Sequence, residues 1–78
     1  MARLRLFGPA REEAGVGTVE IPGSSVGAVL DEAATRFGSG FVRIVDTAQI
    51  WVNGDAAGRE HPVDEGDEVA VIPPVSGG

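Results

Sequence analysis

One segment of this chain repeats its apolar residues at helical spacing, and it lies between segments that repeat theirs at strand spacing. Val26, Val29, Leu30, Ala33 and Phe37 form a single stripe at the 3.6-residue period. Such a stripe must bury itself, and in 78 residues the only available cover is a sheet made from the rest of the chain. Ser24 or Ser25 precedes the stripe and can cap the helix by accepting from an orphan backbone amide. Gly38 follows it and is placed to end the helix in the left-handed conformation. Asp31, Glu32 and Arg36 fall on the watery side. Gly27 is a poor helix former but lies in the first turn.

The flanking segments alternate. Between residues 2 and 7, Leu4 and Leu6 point one way while Arg3, Arg5 and Phe7 point the other. Gly8-Pro9 ends that strand, and Ala10 to Ala14 has room for one helical turn before Gly15 and Gly17. Thr18 to Ile21 alternates again and Pro22-Gly23 closes it. The short connection predicts that these two strands are antiparallel neighbours. Residues 39–48 read as irregular, with Phe41, Val42, Ile44 and Val45 as apolar plugs. Gln49 to Val52 is a strand with Ile50 and Val52 toward the core and Trp51 opposite. Asn53-Gly54 signals a tight turn, and a short edge strand is expected near Arg59. Asp64 to Asp67 forms another turn. In the last strand, Glu68 to Ile72, Val69 and Val71 share one face and Ala70 and Ile72 the other.

These elements predict an α+β domain of two layers. One main helix packs on one face of a mixed four- to five-stranded sheet, which is the β-grasp (ubiquitin-like) layout. The pattern does not give the strand order. Residues 1–78 read as one domain, with 72–78 as an extended, flexible C-terminal tail.

A domain this small has a thin core and often needs a staple. None is present, since the sequence has no cysteine. Disulfides, thiolate metal sites and cysteine nucleophiles are thereby excluded. All six basic residues are arginines, so neither a phosphate-loop lysine nor a Schiff-base lysine exists. One histidine cannot build a multi-imidazole metal site, and no metal is expected. Twelve acids against six arginines give a net charge of −6. That balance argues against nucleic-acid binding by phosphate neutralisation and favours docking on a basic protein surface. The apolar runs are far below the roughly 20 residues of a membrane span. The N-terminus lacks the long apolar run of a signal peptide, so no membrane association and a cytoplasmic location are expected.

Several motifs have plainer readings than their chemical ones. Gly23-Ser24-Ser25-Val26-Gly27 matches a nucleophile elbow, but 78 residues cannot supply the large sheet such an elbow needs, and helix capping explains the serines. His61 beside Pro62 reads as an edge residue. The run Asp64-Glu65-Gly66-Asp67-Glu68 lacks calcium-loop spacing and reads as a solvated turn. Glu12 and Glu13 are adjacent, and adjacent residues on a helical turn do not face each other.

Two features remain. Phe7, Trp51 and Ile72 are apolar residues on the uncovered side of the sheet, where a partner can dock. The chain then closes on Pro73-Pro74-Val75-Ser76-Gly77-Gly78. The prolines cannot donate ladder hydrogen bonds and hold the chain extended at about 3.1 Å per residue, a reach of roughly 19 Å over six residues. The last two residues carry no side chain, so the tail can thread a narrow tunnel and present a carboxylate. Such a carboxylate is ionised at neutral pH and can be adenylated by ATP, after which a thiol, amine or persulfide can attack it. The chain has no equipment of its own for ATP, so it binds no cofactor and a separate enzyme must use the ATP.

The residues here resemble the small subunit of molybdopterin synthase, the MoaD type, within the ubiquitin-like MoaD/ThiS sulfur carriers. One block is Leu6-Phe7-Gly8-Pro9-Ala10-Arg11-Glu12 with Gly15. The others are Val52-Asn53-Gly54, Gly66-Asp67-Glu68-Val69-Ala70 and the terminal Pro73 to Gly78. The stretch Asp55-Ala56-Ala57-Gly58 departs from the bulkier apolar residue that many relatives carry there. The resemblance implies a β-grasp fold, with Gly78 adenylated by a MoeB-like enzyme and converted to a thiocarboxylate with a sulfurtransferase as sulfur source. It implies that Gly77 and Gly78 enter a MoaE-type large subunit within a heterotetramer, behind Pro73, Pro74, Val75 and Ser76. There the tail would give sulfur to a cyclic pyranopterin monophosphate. Phe7, Ile72, Arg11 and Trp51 are the docking candidates. Related carriers serve thiazole, cysteine or specialised metabolites, and a ubiquitin-like modifier conjugated through Gly78 is a further alternative.

Overall fold

A computed structural model of the chain describes residues 1–74. The elements in chain order are β1 (Ala2–Leu6), α1 (Gly8–Ala14), β2 (Thr18–Ile21), α2 (Val26–Phe37), α3 (Ser39–Thr47), β3 (Gln49–Val52), β4 (Asp55–Ala56) and β5 (Glu68–Ile72). They form one five-stranded sheet in the order β2-β1-β5-β3-β4. β1 and β2 are antiparallel neighbours, with Leu4 opposite Val19. β1 and β5 are parallel at the centre, with Leu4 opposite Val69 and Leu6 opposite Val71. β3 lies antiparallel to β5, and β4 to β3. The result is the mixed sheet of a β-grasp domain.

The strand alternation sorts the side chains as expected. Ala2, Leu4, Leu6, Ile21, Val52, Val69 and Val71 are buried beneath the helices. Val26, Val29, Leu30 and Ala33 of α2 meet them. No polar or charged residue is buried among the described residues, so apolar burial at roughly 25 cal/mol per Å² is the main cohesive force.

Four local expectations are corrected. The main helix is joined by two others. Residues 39–48 are not irregular but contain α3, whose apolar residues fall at helical spacing. Phe41 is fully buried and its ring lies 5.2 Å from that of Phe37, tying α3 to α2. α1 is longer than one turn, because Pro9 opens it where its missing N–H costs nothing. Gly38 ends α2 with φ 91° but ψ −174°, not the left-handed helical pair, and this bend lets α3 follow directly. The edge strand is at Asp55–Ala56, while Arg59 lies in the loop beyond it. That strand starts early because Asn53 (φ 49°) and Gly54 (φ 90°) make a tight hairpin turn.

The loop after β4 caps α2. The Val26 N–H donates to the His61 carbonyl (3.0 Å) and the Gly27 N–H to the Arg59 carbonyl (2.8 Å). The Ala28 N–H donates to Ser25 Oγ (3.1 Å), so Ser25 rather than Ser24 is the capping side chain. Three otherwise unpaired amides are thus satisfied. A Cβ on Gly27 would stand 3.2 Å from the Arg59 carbonyl oxygen, so glycine permits this close approach.

Ser25→Ala should cost about 1 kcal/mol, while Ser24→Ala should be nearly neutral; urea denaturation measures both. Phe41→Ala should cost about 3–5 kcal/mol by leaving a cavity between α2 and α3, read in the same assay.

Candidate functional site

The helices cover one face of the sheet and leave the other open. On β1, Arg3 and Arg5 project from that open face, and Phe7, still extended at φ −124° and ψ 154°, continues the alternation. On β5 the same face carries Glu68, Ala70 and Ile72, and on β3 it carries Gln49 and Trp51. The register brings these together. Ile72 is opposite Gln49, and Trp51 is flanked by Ala70 and Ala56. The Phe7 N–H donates to the Val71 carbonyl (3.3 Å), setting Phe7 beside Ile72.

An apolar patch results at one end of the open face. Phe7 and Ile72 are each 39% exposed, and Trp51 is half-buried one row back. The Arg5 guanidinium lies 5.2 Å from the Phe7 ring centroid, a cation–π distance. Toward the other end the face becomes charged, with Arg3 paired to Glu20 (3.3 Å) and Arg5 to Glu68 (3.7 Å). These exposed pairs contribute little to stability, but they draw a boundary around the patch. Trp51 Nε1–H donates to Gln49 Oε1 (3.2 Å), which fixes the indole on this face.

Arg11 is not part of that grouping. It stands in α1 with its guanidinium against Gly17, on the β2 flank of β1. β1 and β5 separate that flank from Trp51 on β3.

The chain leaves the sheet at this same end. Ile72 is the last residue of β5 and not the start of the tail. Pro73 is buried and Pro74 exposed, so Pro73 belongs to the body of the domain rather than to a threading segment. Its burial is a tertiary effect that composition does not reveal. The expectations for Val75, Ser76, Gly77 and Gly78 lie outside the described residues.

The remaining motifs take structural roles. Ser25 is a cap, as above. His61 is exposed, with Nδ1 2.8 Å from the Pro62 carbonyl. The Glu13 carboxylate lies against Gly40 in the first turn of α3, where helix amides favour negative charge. Among the described residues, no group of three or more His, Asp or Glu is placed to hold a metal, and no helix is long and apolar enough to cross a membrane.

Two separate sequence blocks meet at the end of the sheet opposite the patch. Asn53 Nδ2 donates to Asp67 Oδ1 (3.0 Å), and the Glu68 N–H donates to Asn53 Oδ1 (3.0 Å). The Asp64 N–H donates to Asp67 Oδ2 (2.8 Å). The Asp64 amide first, then the Asn53 side chain, hold the Asp67 carboxyl below its usual range. This latch locks the β3 turn to the start of β5. Its signal in the sequence is only the pairing of an Asn-Gly turn with a downstream Gly-Asp.

Fold and open face together define a small ubiquitin-like domain with an apolar patch beside the end of its central strand. The chain belongs to the ThiS family, whose model matches residues 4–78, and is a ubiquitin-like carrier of the ThiS/MoaD sulfur-carrier kind. It is similar to SAMP1 of Haloferax volcanii at 32% identity, with 99% of this chain and 98% of that chain covered and a TM-score of 0.83. A putative molybdopterin converting factor, subunit 1, of Pyrococcus furiosus is 29% identical, with 95% and 97% covered and a TM-score of 0.78. The molybdopterin synthase sulfur carrier subunit of Phaeosphaeria nodorum is 60% identical over 35 residues, which span 44% of this chain and 36% of that protein.

The Asp67 latch carries a pH signature. A carboxyl whose folded pKa is lowered stabilises the fold above its unfolded pKa of about 3.9. That contribution is lost as pH falls through the lowered folded value. Asp67→Ala should therefore lower the urea midpoint at pH 7, and the gap from the unaltered chain should close as pH drops below about 4.

Proposed function

We propose that this chain is the sulfur-carrying small subunit of a molybdopterin synthase. The observation that carries the reading is the family match through residue 78, where the sequence reads Gly77-Gly78. The local identity to the Phaeosphaeria nodorum sulfur carrier subunit supports it. β5 ends at Ile72, beside Phe7 and one row from Trp51, which supports a single partner surface that grips the patch and receives the tail.

In this reading the Gly78 carboxylate oxygen attacks the α-phosphorus of ATP on a separate MoeB-like enzyme, and pyrophosphate leaves. A persulfide sulfur from a sulfurtransferase then attacks the acyl carbon and AMP leaves. A thiol reduces the resulting acyl disulfide to the thiocarboxylate. Pro74, Val75, Ser76 and Gly77 carry that group into a MoaE-type large subunit, where sulfur passes to a cyclic pyranopterin monophosphate. This chain's part is to dock, to reach and to hold the acyl group. The ATP chemistry belongs to the partner.

A second reading is favoured by the similarity to SAMP1, a small archaeal modifier protein. There the activated Gly78 is passed to amines of other proteins. Both readings use the same activated carboxylate and differ in what attacks it.

Intact-mass measurement after incubation with activating enzyme, ATP and a sulfur source should show one oxygen replaced by sulfur at Gly78. Absence of both adenylate and thiocarboxylate would sink the carrier reading, and conjugates on lysines of added proteins would favour the modifier. Deleting Gly78 should abolish the shift without changing thermal unfolding, because the described residues already form the core cluster between Ala2 and Val71. Ile72→Glu should reduce sulfur transfer to the large subunit, while its effect on stability stays within about 0.5 kcal/mol.

A further inference from the structure

α2 and α3 lie side by side in the helical layer and leave a groove between them. Its floor is apolar, formed by Leu30, Ala34, Phe41, Val42 and Val45. Val42 is 38% exposed, although its neighbours on the floor are largely buried. The groove has a volume of about 50 Å³. One water takes roughly 30 Å³ of the liquid, and small-molecule sites begin near 300 Å³. The groove is therefore sized for the stem of one side chain rather than for enclosing a whole metabolite.

The charges on its rim are unequal. Arg59 Nη2 lies 2.8 Å from Asp31 Oδ1 and donates to the Gly27 carbonyl (3.4 Å), so those two charges answer each other. Asp46 makes no ion pair among the described residues, and Arg43, one turn earlier on α3, does not reach it. Asp46 also stands in the last turn of α3, where no basic residue is present. Helix carbonyls concentrate negative potential at that end. An apolar trough thus leads to an unanswered carboxylate.

We propose that this groove is a second docking surface, filled by an arginine side chain of a partner protein. An arginine stem is apolar and lies along the Ala34–Val42 floor. Its planar head meets the Asp46 carboxylate, which accepts two parallel N–H bonds. The net charge of −6 favours a basic partner during encounter. Phe7, Trp51 and Ile72 project from the opposite side of the sheet. The two surfaces can therefore be held at once, and a basic partner can stay attached while the patch changes hands. None of this depends on sulfur chemistry, so its test stands apart from that of the carrier reading.

The test is amide NMR on the full chain titrated with Nα-acetyl-arginine methylamide. The matching norleucine and glutamate compounds serve as controls. Saturable shifts are expected at Ala34, Val42, Val45 and Asp46 with the arginine compound alone. Asp46→Asn should weaken binding about threefold to fivefold, and Val42→Ser should weaken it too, both with unchanged spectra elsewhere. Equal shifts at unrelated carboxylates such as Glu12 and Glu60, equal response to norleucine, or affinity unchanged in Asp46→Asn would each overturn the proposal.

Discussion

The first and last strands of the chain are hydrogen-bonded to each other in parallel, and the rest of the architecture follows from that pairing. Leu4 meets Val69 and Leu6 meets Val71 at the middle of the sheet. Everything between must leave from one end of β1 and arrive at the opposite end of β5. The intervening chain does this over one face, which becomes the helical layer, and the other face stays bare. The pairing also directs the end of β5 to where β1 ends, beside Phe7. The apolar patch and the end of β5 are neighbours because of topology. Such contacts join residues far apart in sequence, so their loop-closure entropy must be met before the core rewards it.

Much of this was legible from periodicity. Alternation placed Phe7, Trp51 and Ile72 on the open face correctly, because one residue of slip would have sent Leu4, Val52 and Val71 into water. The α2 stripe was equally clear, and its cap was narrowed to Ser24 or Ser25, of which the structure selects Ser25. α3 was not, although Phe41, Ile44, Val45 and Ala48 are spaced for a helix. Val42, Ile44, Val45 and Thr47 are β-branched, Gly40 lies in the first turn, and the segment is only about two turns long. Its stability comes from Phe41 in the core, a tertiary fact. Strand order, the burial of Pro73 and the distance of Arg11 from Trp51 are likewise products of long-range packing.

Charge is kept outside this molecule and used there for shape. The Arg3 and Arg5 pairs bound the apolar patch. Arg36 donates to the Glu20 carbonyl on β2 (3.4 Å), placing a cation on the outermost strand, where a bare edge would invite another strand. Asn53 and Asp67 hold the far end of the sheet. With a thin core, such small polar devices fix register while burial supplies the cohesion.

The position of β5 has a mechanical consequence. Because it is bonded along one side to β1 and along the other to β3, a pull on the chain beyond Pro73 loads both ladders in shear. Shear strains many hydrogen bonds together, whereas peeling an edge strand breaks them in succession. A partner that tugs the chain end therefore works against the strongest direction of the sheet, and the domain can be dragged into place without being unravelled.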